Sequence, residues 1–133
     1  MVLTTELLDQ LSQKAKESQN LRMNFDMRNS TEDQSQRMLN ALEPGTKVPI
    51  HRHRETNEVV ILLRGSAKEI FFDEYGRVTQ EFLLRAGVEP SAMSIPKGIW
   101  HTIECLEPGT VLFECKDGPF VPRLPEDTME VQP

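Results

Sequence analysis

The N-terminal part of the chain has apolar residues at helical spacing. Between residues 4 and 18, polar side chains separate the apolar positions that share one helical face, which are Leu7, Leu8, Leu11 and Ala15. Thr4 or Thr5 precedes the first leucine and can cap the helix N-terminus. Because short helices need tertiary packing, this pattern predicts an amphipathic helix docked on the rest of the domain or on a partner chain.

Beyond residue 35 the pattern changes to short apolar runs that are separated by turn residues. The predicted strands are 36–43, 58–63, 67–72, 78–84, 92–95, 99–106 and 111–116. Strands of this length, with turn signals at such regular spacing, are typical of a β-sandwich or β-barrel. The sequence therefore predicts an all-β fold with one short N-terminal α-helix.

Two of the turns predict hairpins. Asp73–Gly76 would join strands 67–72 and 78–84, and the turn at 107–110 would join strands 99–106 and 111–116. The second hairpin would place Glu114 opposite Ile103. It would also leave Cys105 and Cys115 about 10 Å apart, beyond the ~7 Å Cα reach of a disulfide. Free thiols are predicted.

Proline marks the end of the predicted barrel. Pro119, Pro122, Pro125 and Pro133 oppose both a helix and a central strand, so an extended surface tail is expected after Gly118. The chain is thus divided into a helix with an extended lead-in over 1–35, a barrel over 36–118 and a proline-rich tail over 119–133.

Composition narrows the classes of function. A chain of 133 residues fits one domain. The net charge is −6, and without a run of Lys and Arg a nucleic-acid partner is not expected. Neither a signal-peptide pattern nor a long apolar segment occurs, so we expect a cytoplasmic protein that does not enter the membrane.

The chain has three histidines, and their spacing suggests a common site. His51 and His53 are two residues apart, and on a strand such side chains project to the same side. Glu58 can add a carboxylate if the chain turns after Arg54, and His101 follows a Pro-x-Gly turn. These residues can converge on a metal ion.

The same residues resemble two cupin motifs. The pattern G-x5-H-x-H-x4-E-x6-G, from Gly45 to Gly65, matches the first motif, and Pro96-x-Gly98-x2-His101 resembles the second. The second motif departs from the family at Pro90 and Cys105, where Gly and Asn are usual. The resemblance implies a cupin double-stranded β-helix, a jelly-roll barrel, with a metal held by three histidines and one glutamate.

A narrower resemblance covers nearly the whole chain. The order of an N-terminal helix, QRMLNALEPGT, HRH, GIWHTIECL and VLFECKDGPF is similar to that in the WbuC family of cupin-fold metalloproteins. That family is associated with bacterial surface-polysaccharide gene clusters. The resemblance implies a role in O-antigen biosynthesis but gives no reaction.

The implied cofactor is one divalent transition metal ion bound by His51, His53, Glu58 and His101. Three imidazoles and a carboxylate suit Fe, Mn, Ni, Co or Zn, and no thiolate selects among them. Two alternatives stay open: the histidines can be unrelated, or the barrel can be metal-free.

Four further residues are candidates for the pocket. Glu114 is a candidate acid or base, although an outward, solvated carboxylate is the alternative. Strand parity sends Cys105 to the side of His101, where it can bind substrate or serve as a small apolar residue. Arg37 and Asn40 have opposite parity, so at most one can contact a polar ligand.

Three classes of function remain open. The first is a metal-dependent isomerase, epimerase, lyase or dioxygenase that acts on a sugar or nucleotide-sugar derivative. The second is a non-catalytic, metal-dependent module that binds or senses a small molecule such as a carbohydrate, and the third is a structural or storage protein. A homodimer is expected in each case, because strand edges and the helix face need cover.

Overall fold

The computed structural model describes residues 1–129, which form two five-stranded antiparallel sheets and one α-helix. The elements are α1 (Thr5–Glu17), β1 (Arg22–Asp26), β2 (Gln36–Leu42), β3 (Ile50–His51), β4 (Glu58–Arg64), β5 (Ser66–Phe72), β6 (Val78–Arg85), β7 (Ala92–Ile95), β8 (Trp100–Cys105), β9 (Thr110–Lys116) and β10 (Thr128–Met129). A 3₁₀ turn, η1, spans Pro125–Asp127. The predicted all-β class with a short N-terminal helix is confirmed.

The first sheet has the order β1-β2-β9-β4-β7, and the second has the order β10-β3-β8-β5-β6. Alternation along each strand sends every second side chain inward. A buried apolar cluster at the centre draws on both sheets and contains Leu42, Val60, Leu62, Ala67, Phe71, Leu84, Ile95, Cys105 and Leu112. This cluster fixes the distance between the sheets and so sets the width of any cavity beside it.

Helix α1 docks on the first sheet. The sequence had predicted docking either on the rest of the domain or on a partner chain, and the first arrangement is the one observed. Thr4 is the N-cap, and its hydroxyl accepts a hydrogen bond from the amide of Leu7 at 3.2 Å. Leu11 and Ala15 are buried against Leu39, Ala41 and Val111. Burying Leu11 contributes about 2 kcal/mol to the free energy of unfolding.

Over residues 1–129, no helix is long and apolar enough to cross a membrane.

Strand β1 is an element that we did not predict from the sequence. It pairs with β2 along its whole length, from Arg22 opposite Leu42 to Asp26 opposite Met38. Met23 and Phe25 alternate with polar residues and pack beside the helix cluster. The stretch 1–35 thus adds an edge strand to the sheet, and the boundaries at 35 and 118 stay a prediction.

The hairpin predicted at 107–110 is wrong, because β8 and β9 belong to different sheets. The connection crosses between the sheets and is held by side chains from elsewhere. Glu43 accepts a hydrogen bond from the amide of Gly109 at 2.8 Å, and Arg64 donates to the Gly109 carbonyl at 2.8 Å. The hairpin at Asp73–Gly76 is confirmed by the pairing of β5 with β6.

Cys105 and Cys115 are both free thiols, as predicted. Residues 119–124 form neither helix nor strand, but Pro125 begins a 3₁₀ turn, because proline fits the first position of a helical turn. Thr128 then pairs with His51 at a sheet edge. Pro133 lies outside the described residues.

Gly65 provides a test of the packing between β4 and β9. Its φ is +80°, and a Cβ at this position would lie 2.8 Å from the Cα of Thr110. Gly65→Ala is expected to lower the free energy of unfolding by about 2–5 kcal/mol, because backbone strain and overpacking add. Urea denaturation measures this loss.

The matched control is Gly87, which has a φ of +72° and nothing within 4 Å of an added Cβ. Gly87→Ala should lower the free energy of unfolding by only about 1–2 kcal/mol, because it adds backbone strain without overpacking. Equal losses for the two variants would contradict the packing described here.

Candidate metal centre

His51 and His101 meet because two neighbouring strands of the second sheet present them at the same level, and His53 lies two residues after His51, just beyond the end of β3. His51 on β3 lies directly opposite His101 on β8. Their ring centroids are 4.3 Å apart, and the ring of His53 is 5.0 Å from His51 and 5.5 Å from His101. One ring nitrogen from each of the three histidines can bind a metal ion, and these three nitrogens lie within 4.8 Å of one another.

Backbone carbonyls orient two of the rings. The Nδ1 atom of His51 lies 2.7 Å from the Pro49 carbonyl, and the Nδ1 atom of His101 lies 3.0 Å from the Ile99 carbonyl. A neutral imidazole has one N–H, so donation from Nδ1 leaves the Nε2 lone pair free for a metal. This second hydrogen bond is the usual support of a metal-binding histidine.

Glu58 reaches the histidines from the facing sheet. It begins β4, points inward and is only 5% exposed. Its Oε2 atom lies 3.4 Å from Nε2 of His101 and 3.6 Å from Nε2 of His53. Among the described residues this buried oxygen has no hydrogen-bond partner. A carboxylate oxygen buried in this way needs a positively charged partner.

A network of hydrogen bonds holds the loop between His53 and Glu58. The amide of Gly98 donates to the His53 carbonyl at 2.8 Å, and the amide of Lys97 donates to Oδ1 of Asn57 at 3.0 Å. Asn57 in turn donates through its amide and its side chain to Asp117. The Pro-x-Gly turn before His101 therefore also positions His53.

The protonation states suit metal coordination. Burial, together with the ring of His101, lowers the pKa of His51 to about 3. Burial outweighs the attraction of Glu58 and lowers the pKa of His53 to about 4. For Glu58 burial acts to raise the pKa, but His101 and Lys116 outweigh it and the pKa falls to about 2. At neutral pH, His51 and His53 are therefore neutral and Glu58 is charged.

This donor set fits a divalent transition metal ion. Neutral imidazoles and a carboxylate are typical ligands of Fe, Mn, Ni, Co and Zn. The oriented rings and the unpaired Glu58 oxygen are features of a site built for a cation.

The cluster lies on the wall of a cavity of about 580 Å³, a size typical of small-molecule sites. Asn40 and Glu114 line this cavity, as the sequence allowed. Glu114 lies between Met38 and Val60 in the first sheet, so the predicted pairing with Ile103 is wrong although both residues line the cavity.

The structure places the other two candidates, Arg37 and Cys105, outside the lining of this cavity. Arg37 has the opposite parity to Asn40 and binds Asp33 at 3.1 Å. Cys105 does face inward, but it lies further along β8 than His101. There its thiol contacts the carbonyls of Leu42 and Glu107 within the apolar cluster.

Burial and the charge of Glu58 raise the pKa of Glu114 to about 7. The nearest cation is Lys116, whose Nζ lies 3.9 Å from a Glu114 oxygen. A carboxyl group with a pKa near neutrality can both accept and donate a proton under physiological conditions.

Glu69 is a cavity residue that sequence reasoning missed. It lies on β5 and is 1% exposed. The signal was present, because strand alternation places Glu69 on the same side as the apolar residues Ala67 and Phe71.

Comparison with known proteins adds the family. Residues 3–84 match the model of a family described as Domain of unknown function (DUF6016). The chain belongs to this family. No curated protein matches the DUF6016 chain.

Solved structures identify the fold. KdgF from Halomonas sp. is 12% identical with a TM-score of 0.61, and the match covers 77% of this chain and 84% of that one. A mutant of oxalate decarboxylase OxdC from Bacillus subtilis is 24% identical with a TM-score of 0.56, and the match covers 74% of this chain and 24% of that one.

The capsular polysaccharide assembling protein CapF from Staphylococcus aureus is 26% identical with a TM-score of 0.59. The match covers 74% of this chain and 27% of CapF. Together these structures show that the DUF6016 chain has the cupin jelly-roll fold that the two motifs implied.

The C-terminal segment closes one side of the cavity. Residues 119–124 contribute to its lining. Asp127 anchors the segment, because its Oδ1 accepts from Nε of Arg52 at 2.8 Å and from Nε of Arg54 at 2.6 Å. Hydrogen bonds from Arg54 and Arg52 lower the pKa of Asp127, so the anchor stays charged at neutral pH.

Asp127→Asn should release this segment, because the amide removes the charge that both arginines contact. Trypsin cleavage after Arg123 is then expected to become at least about ten-fold faster, since proteolysis follows local opening. Asp73→Asn is the control: Asp73 also accepts hydrogen bonds, but in the hairpin between β5 and β6. An unchanged cleavage rate in Asp127→Asn would contradict the anchoring role.

Proposed function

We propose that this DUF6016 chain is a metal-dependent cupin enzyme that acts on a sugar or nucleotide-sugar derivative in bacterial surface-polysaccharide biosynthesis. One observation carries the proposal: three histidine nitrogens and the unpaired Oε2 of Glu58 converge on the wall of a cavity. Such a convergence is the arrangement expected of a metal centre that is open to a ligand.

The carbohydrate part of the proposal has three supports. The sequence resembles the WbuC family, and a structural relative is named as a capsular polysaccharide assembling protein. The cavity wall also mixes polar side chains such as Asn40 and Glu114 with apolar ones such as Val60 and Leu112. A sugar presents the same mixture of hydroxyl groups and C–H faces.

The proposed ligands are His51, His53, Glu58 and His101, and the cofactor is one divalent ion of Fe, Mn, Ni, Co or Zn. When bound, such an ion supplies Lewis-acid polarisation of a substrate oxygen. Glu114 is proposed to move a proton at the substrate, because the other carboxylate near the histidines, Glu58, is committed as a ligand.

A second candidate function is a binding or sensor module without turnover. It is favoured by the position of Lys116, whose Nζ lies 3.9 Å from Glu114 and stabilises the charged carboxylate. A base that is held by an ion pair is less available for proton transfer. Kinetics of a Glu114 variant separate the two candidates.

Assembly and location are also proposals. We infer a cytoplasmic homodimer from the sequence, with the exposed edges of the two sheets as the surfaces that need cover. Membership of the WbuC family stays a prediction.

Metal analysis tests the ligand assignment. We expect the protein to bind about one transition metal ion per chain after it has been stripped of metal and reloaded with one kind of metal. His53→Ala and His101→Ala should each weaken binding by at least about 100-fold, because loss of a direct donor exceeds the loss of an outer hydrogen bond. Equilibrium dialysis with elemental analysis measures both quantities.

Asn40→Ala is the control, since Asn40 lines the same cavity but is not a proposed ligand. It should keep the wild-type metal content. Full stoichiometry and affinity in either histidine variant would refute the assignment.

Glu114→Gln tests the catalytic role. The amide keeps the shape of the side chain and removes its basicity, so kcat should fall by about 100-fold or more while metal content stays unchanged. Turnover is measured with metal-loaded protein on a panel of sugars and nucleotide sugars, and Glu81→Gln on the exposed face of β6 is the control. Normal turnover in Glu114→Gln would exclude this residue as the base.

A further inference from the structure

Glu69 is a buried acid that the proposed metal centre does not use. It occupies an inward position on β5, between Phe82 of β6 and Ile103 of β8. It is among the largest fully buried side chains, and it lines the cavity that contains the histidines. It therefore lies on the second sheet, across the cavity from Glu58 and Glu114 of the first sheet.

The surroundings of Glu69 do not satisfy a charged carboxylate. Its Oε1 atom has no hydrogen-bond partner among residues 1–129, and no lysine, arginine or histidine there forms an ion pair with it. Burying an unpaired charge is far more costly than burying a neutral carboxyl group. These surroundings therefore favour the neutral form of Glu69.

The nearby acids Glu58 and Glu114 also favour the neutral form of Glu69. Burial first, and then the charges of Glu58 and Glu114, raise the pKa of Glu69 well above its ordinary value. The neutral group has one O–H donor and retains acceptor oxygens. It can therefore exchange two hydrogen bonds with a single hydroxyl group.

Folding gives no reason for an acid at this position. Ala67 and Phe71, the inward neighbours on the same strand, belong to the apolar cluster. A leucine in place of Glu69 would extend that cluster, and replacing an unpaired buried polar group with an apolar one often stabilises a protein. Residues that cost stability in this way are typical of functional sites.

We propose that Glu69 is a substrate-binding residue whose neutral carboxyl group donates a hydrogen bond to, and accepts one from, a hydroxyl group of the ligand held at the metal centre. The ligand class is a polyhydroxylated molecule that is uncharged at the position facing Glu69. This inference rests on the proposed function and adds the contact that selects the substrate.

Thermal unfolding provides the first test, and it needs no ligand. Glu69→Leu should raise the Tm by several degrees, on the order of 3–8 °C, because the unpaired polar group is removed. Glu69→Gln should stay near the wild type, and Glu81→Leu on the exposed face of β6 is the control for added apolar surface. A lower Tm or failure to fold in Glu69→Leu would assign Glu69 to the structure and overturn the proposal.

Calorimetric titration provides the second test. The probes are glucose, glucosamine and UDP-glucose, added to metal-loaded wild type, Glu69→Gln and Glu69→Leu. We expect the glutamine variant to bind glucose or UDP-glucose within about three-fold of the wild type, because its amide also donates and accepts. The leucine variant should bind at least about ten-fold more weakly.

The outcomes separate this inference from the proposed function. Equal binding by Glu69→Leu and the wild type overturns the role of Glu69, as does a preference for glucosamine that both variants lose, since that pattern requires a charged carboxylate. No binding of any probe by the metal-loaded wild type overturns the hydroxyl ligand and the carbohydrate substrate together. Loss of metal from the wild type contradicts the metal centre itself.

Discussion

The structure depends on bringing a buried carboxylate to three imidazoles across a sandwich of two sheets. Glu58 begins a strand of the first sheet, whereas His51 and His101 face each other on the second. The lone pairs of these groups would repel one another without a positive charge between them. The jelly roll supplies the rigidity that holds them together, because strands on both sides are fixed by a shared apolar cluster.

The interior contains an apolar cluster and a polar cavity, and the proposed chemistry belongs to the cavity. Cys105 lies on the same strand face as His101, yet it is packed in the apolar cluster, whereas the histidines open onto the cavity. The cavity wall also contains Glu58 and Glu69, which are buried, and Glu114, which is half-buried, and such a concentration of acids does not help folding. The apolar cluster contributes stability, and it shares Val60 and Leu112 with the cavity wall that carries the proposed binding and catalysis.

The sequence was informative wherever a local pattern determined the outcome. The i, i+2 spacing of His51 and His53 and the capping of α1 by Thr4 required no knowledge of the fold. The turn at 107–110 misled because a tight turn does not specify whether its strands share a sheet, which non-local pairing decides. Glu69 was missed although strand alternation places it with the inward residues Ala67 and Phe71, because an acid on a strand is usually at the surface.

The central claim is that His51, His53, Glu58 and His101 hold one metal ion. Anomalous diffraction from crystals of protein loaded with a single transition metal tests it most directly. The account predicts one strong peak about 2.0–2.3 Å from a ring nitrogen of each histidine and from an oxygen of Glu58. A peak elsewhere, or none near these side chains at full metal loading, would contradict the account.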